Sequence, residues 1–418
     1  MILPAKKSIP SLILLLALAF SGLPAQAAGL PAAANAPDAP HAVIGTGTPA
    51  SCQSNAAANA FTNAVAAGGT ITFNCGSNPV VINSNTNLTN QTVVIDGGGL
   101  VALSGEDLRQ LFLVTGSGNL TLRNISLIDG DAFFGGAINL SGPQTSATLV
   151  NVFLTSNNAT SDGGAVFNEG TLAIFNSSIG ANSATGNGGA IFNNGGTLTL
   201  KDVTVINNQA TDGGGIFNSG GSVSINQNAI RSNIALDDGG GIFHENGSLT
   251  LNNTTFYDNR ASGGGGLYTT GTTVNIANVT FNRNRADLGG ALWNFGGATS
   301  AKNSIFANSR STNDSFNSLN CDGGTLLTQG RNIVSDNTCV PNPSNSGDLL
   351  ATDPQLNILN SYGGKTRGFL PLPGSPAINY GLGCLRFDQR GVPRSKDPFC
   401  EVGSMEFAWA ISLPFIKR

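Results

Sequence analysis

The chain has 418 residues, enough for a large core or two domains, yet only 11% are Asp, Glu, Lys or Arg, under half the usual ~25%. A net charge of −4 argues against a nucleic-acid footprint, and 40% hydrophobic content argues against disorder. Gly supplies 56 residues, roughly twice its usual share, which predicts many tight turns and little helix.

Residues 1–27 read as a secretory signal. Lys6 and Lys7 form a positive n-region, Ile9 to Phe20 an apolar run, and Ala25–Ala27 an A-x-A cleavage site. The competing reading, a membrane anchor, needs a longer run to cross a ~30 Å hydrocarbon core. Residues 28–50 are Ala/Pro-rich and read as a flexible leader, with His41 inside it. Residues 51–118 read as an N-terminal cap and irregular early coils. Ala56–Ala67 is Ala-rich and predicts a short helix plugging an open end. "GGTITFNC" (Gly68–Cys75), "QTVVIDGGG" (Gln91–Gly99) and "LFLVTG" (Leu111–Gly116) predict the early coils.

From 119 to 310 the chain repeats. Blocks of Gly-Gly, a small residue and an aliphatic begin at Gly135, Gly163, Gly188, Gly213, Gly239, Gly264 and Gly289, at intervals of 28, 25, 25, 26, 25 and 25. A polar residue after an alternating apolar run keeps the same beat: Asn124, Asn151, Asn176, Asp202, Gln227, Asn253, Asn278 and Asn303. Each unit holds three short alternating runs, as in Leu198–Leu200, Val203–Val205 and Gly215–Phe217, too short for helices. Three strands and three turns per ~25 residues predict an all-β fold, a right-handed parallel β-helix whose coils stack at ~4.8 Å.

Stacking predicts columns. Leu122, Leu149, Ile174, Leu200, Ile225, Leu251 and Ile276 make one aliphatic ladder in the bore. Leu127, Leu154, Ile179, Val205, Ile230, Phe256, Phe281 and Phe306 make another. The Asn-rich column falls at a corner, where an amide bonds its counterpart on the next coil. The glycine pair marks a tight turn with positive φ. Phe167, Phe192, Phe217, Phe243, Tyr268 and Trp293 form an aromatic column opposite Val166, Ile191, Ile216, Ile242, Leu267 and Leu292. Alternation leaves open which of the two faces the bore.

Six cysteines, Cys52, Cys75, Cys321, Cys339, Cys384 and Cys400, flank the repeats and fit an oxidising compartment. Sequence leaves their pairing open. Neighbour pairing is the expectation, because each pair then staples one end region.

Two motifs carry a family resemblance. One is Gly-Gly-Ala plus Val, Ile or Leu at Gly163–Val166, Gly188–Ile191 and Gly289–Leu292; the other is Phe-x-x-Asn at Phe256–Asn259 and Phe281–Asn284, with aliphatic variants at Leu154–Asn157, Ile179–Asn182, Val205–Asn208 and Ile230–Asn233. Together these resemble the polymorphic outer membrane protein repeats of right-handed β-helix surface proteins. The region 303–407 carries "PGSPAI", "DQRG" and a closing Cys-acid-x-Gly-x-x-Glu segment (Cys400–Glu406), and is similar to the choice-of-anchor Q module of exported bacterial β-helix proteins. The resemblances imply export and attachment to a bacterial surface. Residues 311–407 are accordingly read as the C-terminal module and 408–418 as a short tail. That tail is too short to span a bilayer, and no outer-membrane β-barrel like that of the first family follows, so the anchor is unidentified.

The wider fold resembles pectate lyases, so chemistry must be tested. Asp162, Asn187, Asp212 and Asp238 each precede a Gly-Gly block. The bland reading is an Asx turn that caps its own turn. The functional readings are a Ca²⁺ site at Asp162, Asp212 and Asp238, or an acid pair at Asp212 and Asp238, since stacked carboxylates repel unless protonated or bridged. Arg260, Arg285 and Arg310 form a strip able to hold an acidic polysaccharide, with Arg283 and Asp258 close enough to pair across coils. Tyr268 and Trp293 are sugar-stacking candidates. His244 replaces the Asn of its column, and a turn role is expected for it.

The leading expectation is a secreted or cell-surface, non-enzymatic protein that binds glycans or proteins of a host or neighbouring cell, or serves as an envelope rod. It needs no nucleic acid and no cofactor beyond the Ca²⁺ candidate. The alternative is an extracellular polysaccharide lyase or hydrolase using Asp212, Asp238, Arg260 and Arg285.

Overall fold

A five-residue run such as Thr197–Lys201 buries Leu198 and Leu200 and exposes Thr197, as a pleated strand with one dry face must. The computed structural model describes residues 41–270, 273–310, 319–324, 326–340, 346–394 and 399–407. The secretory signal, most of the leader and the tail 408–418 lie outside the described residues. Ala42–Ile44, from the end of the leader segment, is a strand paired in parallel with Gly69–Phe73.

The chain winds as a parallel β-solenoid of about 11 coils of about 25 residues. Coils up to Ala235 carry four β segments rather than the three expected, and later coils keep only single bridges at the extra position. In one coil these are Thr197–Lys201, Thr204–Ile206, Gln209–Ala210 and Ile216–Ser219, here the first to fourth faces. The third is only two residues long, so no apolar alternation announces it. Its column of Ala159, Ala184 and Ala210 keeps that side thin enough for coils to approach. Pairing between coils is parallel on every face, as in Leu200↔Ile225, Val205↔Ile230 and Ile216↔Ile242.

The two expected aliphatic ladders fill the bore, and Val166, Ile191, Ile216, Ile242, Leu267 and Leu292 add a third, fully buried one. Each such side chain contributes roughly 1.5–3 kcal/mol. Phe256, Phe281 and Phe306 stack inside with ring centroids 4.5 and 5.1 Å apart. The corner column from Asn124 to Asn303 turns between the first and second faces, every member at positive φ, where short polar side chains are tolerated.

Both ends of the bore are closed. The helix α1 (Pro49–Cys52) leads into α2 (Asn55–Ala67), which is capped by Ser54 and buries Ala57, Phe61, Ala64 and Val65 against the first coils. The disulfides are Cys52–Cys75, Cys321–Cys339 and Cys384–Cys400, the neighbour pairing expected.

The C-terminal segment folds back along the corner column. Asn151 donates to Asn124 across coils at 2.8 Å, as expected of that column, but its later members bond this segment instead. Gln227 Nε2 donates to the Asp388 carbonyl (2.8 Å), Asn303 Nδ2 to the Leu382 carbonyl (3.0 Å), and Asn253 Oδ1 accepts from Arg394 (3.1 Å). Gln389, buried, accepts from Thr255 Oγ1 and donates to the Asn228 carbonyl. Beneath it lie Asp388, Arg390, Arg394, Glu401 and Glu406, with ion pairs Asp388–Arg390 at 2.6 Å and Arg394–Glu406 at 2.9 Å. Burial, then the hydrogen bond and charge of Glu406, push the Glu401 carboxyl up to about 8. The conspicuous residues of the C-terminal motifs are thus the bolts that hold this segment to the rod.

Two buried amide ladders run the length of the coils. In the first, Asn157, Asn182, Asn208, Asn233, Asn259 and Asn284 are at most 1% exposed. Asn208 Nδ2 donates to Asn233 Oδ1 on the next coil (2.9 Å) and to the Ile179 carbonyl of the preceding one (3.1 Å). Its Oδ1 accepts both the backbone N–H and the Nδ2 of Asn182. One side chain therefore ties three coils. The second ladder runs through Asn168, Asn193 and Asn218 to His244.

His244 is fully buried, and its position in the ladder identifies its tautomer. Asn218 Oδ1 accepts from Asn193, so Asn218 Nδ2 is the atom that meets His244 Nδ1 at 2.9 Å, and Nδ1 must accept. The proton sits on Nε2, which has no partner. A second proton would set donor against donor, and burial lowers the ring's pKa to about 4. The unfolded chain, with a His pKa near ~6.5, then binds the proton more readily, so this group removes stability as pH falls from ~6.5 towards 4. Urea unfolding of His244→Asn should lack that slope: its stability relative to the native chain should rise steadily between those pH values, and a constant difference would refute the assignment.

Candidate functional site

The Gly-Gly turns lead into the fourth face. Gly163, Gly188, Gly213, Gly239, Gly264 and Gly289 all have φ between 58° and 70°. A Cβ on Gly188 would strike the Ile191 carbonyl, so the turn admits no side chain there. Where an Asp precedes the turn at Asp162 and Asp212, it caps not its own turn, as expected, but the next coil. Asp162 Oδ1 accepts from Asn187 N at 2.7 Å, and Asp212 Oδ1 from Asp238 N at 2.9 Å. The stacked N–H of the neighbouring coil lies in reach and has no other acceptor in its own turn.

This stacking brings Asp212 and Asp238 together and adds Asp237, with carboxylate oxygens of all three within 4.8 Å of one another. Asp162 stands apart, separated by the Asn187 coil and bonded to Ser161. Asp237 was not foreseen, although the doubled acid of Asp237–Asp238 before the glycines marks it. Burial first, then the charges of Asp237 and Asp212, push the Asp238 carboxyl up to about 6. Asp212 is raised by burial and by Asp237, against its bond from Asp238. The Tyr268 hydroxyl is raised by burial and then by Asp238, Asp212 and Asp237, which places it beside the cluster.

The aromatic column faces outward, and the aliphatics opposite it fill the bore. Phe167, Phe192, Phe217 and Phe243 stack nearly parallel, with centroids 5.4, 5.1 and 4.6 Å apart, and Tyr268 continues the stack at 4.6 Å. Their ring faces are therefore occupied by one another, and only edges reach solvent. The stack ends where Trp293 turns edge-on to Tyr268 (80°) and Phe295 edge-on to Trp293 (77°). Trp293 lies over Gly263, where any Cβ would enter its ring. Of the sugar-stacking candidates, Tyr268 is 8% exposed and offers an edge, while Phe295 beside Trp293 is 62% exposed.

Arg260, Arg285 and Arg310 do stack, through isolated bridges continuing the third face, and all are exposed. Arg285 pairs with Asp258 at 3.3 Å; Arg283 does not. The groups that shift Asp212 and Asp238 are carboxylates and backbone N–H groups, with no arginine among them. The acids converge; Arg260 and Arg285 do not join them. Three carboxylates and a phenol make a cation site chemically reasonable, with Asp212, Asp237 and Asp238 as its oxygen donors.

Against known families, the model of the Chlamydia polymorphic membrane protein repeat matches residues 253–270. That stretch spans the corner Asn253, the ladder Asn259 and the turn at Gly264. No curated protein and no solved structure matches the chain.

Because the folded Asp238 pKa lies above its unfolded value of 3.8, the group adds stability at low pH and loses it as pH rises through about 6. Asp238→Asn should therefore gain relative to the native chain by roughly 1 kcal/mol between pH 5 and 8, discounted for its partial exposure. Millimolar Ca²⁺ should raise the melting temperature of the native chain but not of Asp238→Asn; equal shifts would remove this cluster as the cation site.

Proposed function

We propose that this chain is an exported bacterial surface protein whose rod binds glycans or proteins of neighbouring surfaces without catalysis. The observation that carries the reading is the match of residues 253–270, within one coil of the solenoid, to the polymorphic membrane protein repeat, which fits an outer-membrane or surface protein. The secretory-signal pattern at 1–27 supports export, and the choice-of-anchor Q resemblance of 303–407 supports attachment. Among the described residues no helix is long and apolar enough to cross a membrane. The stretch of rod with Trp293, Phe295 and the acid cluster is the contact surface we favour, because ring surface is exposed there rather than consumed by stacking.

The raised Asp238 carboxyl favours one second reading, a polysaccharide lyase or hydrolase, since such a shift suits a general acid. What it lacks is a basic partner among the groups that act on Asp212 and Asp238, and Arg285 pairs with Asp258 instead.

Two assays separate the readings. Incubation with pectin and alginate should yield no unsaturated product absorbance; its appearance, abolished by Asp238→Asn, would establish the lyase. Glycan and cell-surface binding by the labelled chain should fall about tenfold in Phe295→Ala, the scale of a modest hot spot. Binding unaffected by Phe295→Ala and Trp293→Ala would move the contact surface elsewhere.

A further inference from the structure

Arg231 lies on the outer side of the second face, in register between Ile206 and Tyr257, where the C-terminal segment begins to cover the rod. Its Nε is buried and has no hydrogen-bond partner, and the side chain makes no ion pair among the described residues. A guanidinium keeps its charge and its five donors in any setting, so a half-buried one with an orphaned Nε is costly. The group beside it is another arginine, Arg367, whose charge, after burial, lowers the pKa of Arg231. Among the described residues no carboxylate pairs with either guanidinium.

The backbone around Arg367 is held in place from beneath. Gln389 Nε2 donates to the Arg367 carbonyl at 3.0 Å, and Thr366 Oγ1 to the Gln227 carbonyl at 3.0 Å. Phe369 packs on the Tyr257 ring at 5.4 Å. Two residues before Arg367, Lys365 takes the local acid, Asp202, at 3.6 Å. A chain of net charge −4 thus places two like charges near one another, without a counterion among the described residues.

We propose that Arg231 and Arg367 form an oxyanion-binding site at the seam between the solenoid and its C-terminal segment, with the Tyr257 ring as one wall. The ligand group is a carboxylate, sulfate or phosphate, which would satisfy the buried Nε and screen the two guanidiniums from each other. Arginine forks match such oxygens two at a time. The site is separate from the Arg260–Arg285–Arg310 strip and does not depend on the adhesive reading.

The test is thermal unfolding of the purified full chain with millimolar glucuronate, sulfate or phosphate, at ionic strength matched by chloride. The native chain should melt higher with at least one of these, and the three arms tell which oxyanion fits. Sulfate and phosphate also stabilise proteins by exclusion from their surfaces, so the difference between native and variant decides. Arg231→Gln should melt no lower than the native chain in chloride, since the lost group had no partner, and should lose the anion-specific rise. Titration should show affinity falling roughly tenfold. Arg367 is exposed, and Arg367→Gln should lose the same rise, which keeps the test open should Arg231→Gln not fold. No rise beyond chloride in the native chain, the same rise in the variants, or a lower melting point of Arg231→Gln in chloride would each overturn the site.

Discussion

A bore filled with Leu, Ile, Val and Phe leaves the peptide groups at its corners with nothing to bond except the next coil. That constraint organises the molecule. The buried ladder from Asn157 to Asn284 meets it by giving each corner an amide that donates forward to the next coil, donates back to a carbonyl, and accepts the backbone N–H of the previous coil. An unsatisfied group in such a position costs about 1–3 kcal/mol, so one coil cannot be shifted or shortened alone. The 25- or 26-residue spacing is the sequence record of that requirement.

The period, the bore ladders, the corner column and the capping helix were all legible, because each repeats a residue type at one register position. The side of the aromatic column was not. Alternation sets Phe192 and Ile191 on opposite faces and treats both as apolar; packing decides, since the bore holds Ile191 while flat rings stack best outside at the coil spacing. The short third face also escaped notice, because Ala210 and its column mates carry no alternating signal. Asp237 was missed as a single-coil departure from a column. The docking of the C-terminal segment joins residues more than 100 positions apart, such as Gln227 and Asp388, and no local pattern reports that.

Function on a repetitive scaffold is to be sought where the repetition breaks. The aromatic stack is inert along its length, since its faces are spent, and becomes available at its ends, where Phe133 turns edge-on to Phe134 and where Trp293 and Phe295 turn. The Asp/Asn column caps the next coil's backbone at Asp162 and Asp212 and becomes a charge cluster only where Asp237 joins Asp212 and Asp238. The corner amides bond the C-terminal segment only from Gln227 onward, and there an arginine faces an arginine at the seam. His244 marks the one place in its ladder where an imidazole substitutes for an amide, at the expense of a stranded N–H.

The central claim is that whole coils are the unit of structure and their register its only long-range code. The direct test removes 163–187, one full coil, joining Asp162 to Gly188 and leaving the C-terminal docking surface intact. Circular dichroism with thermal melting should show the β signal retained and a single cooperative transition, whereas removal of half that stretch should abolish both. If the half-coil deletion folded as well as the full-coil deletion, or if neither folded, register between stacked coils would not be what specifies this structure.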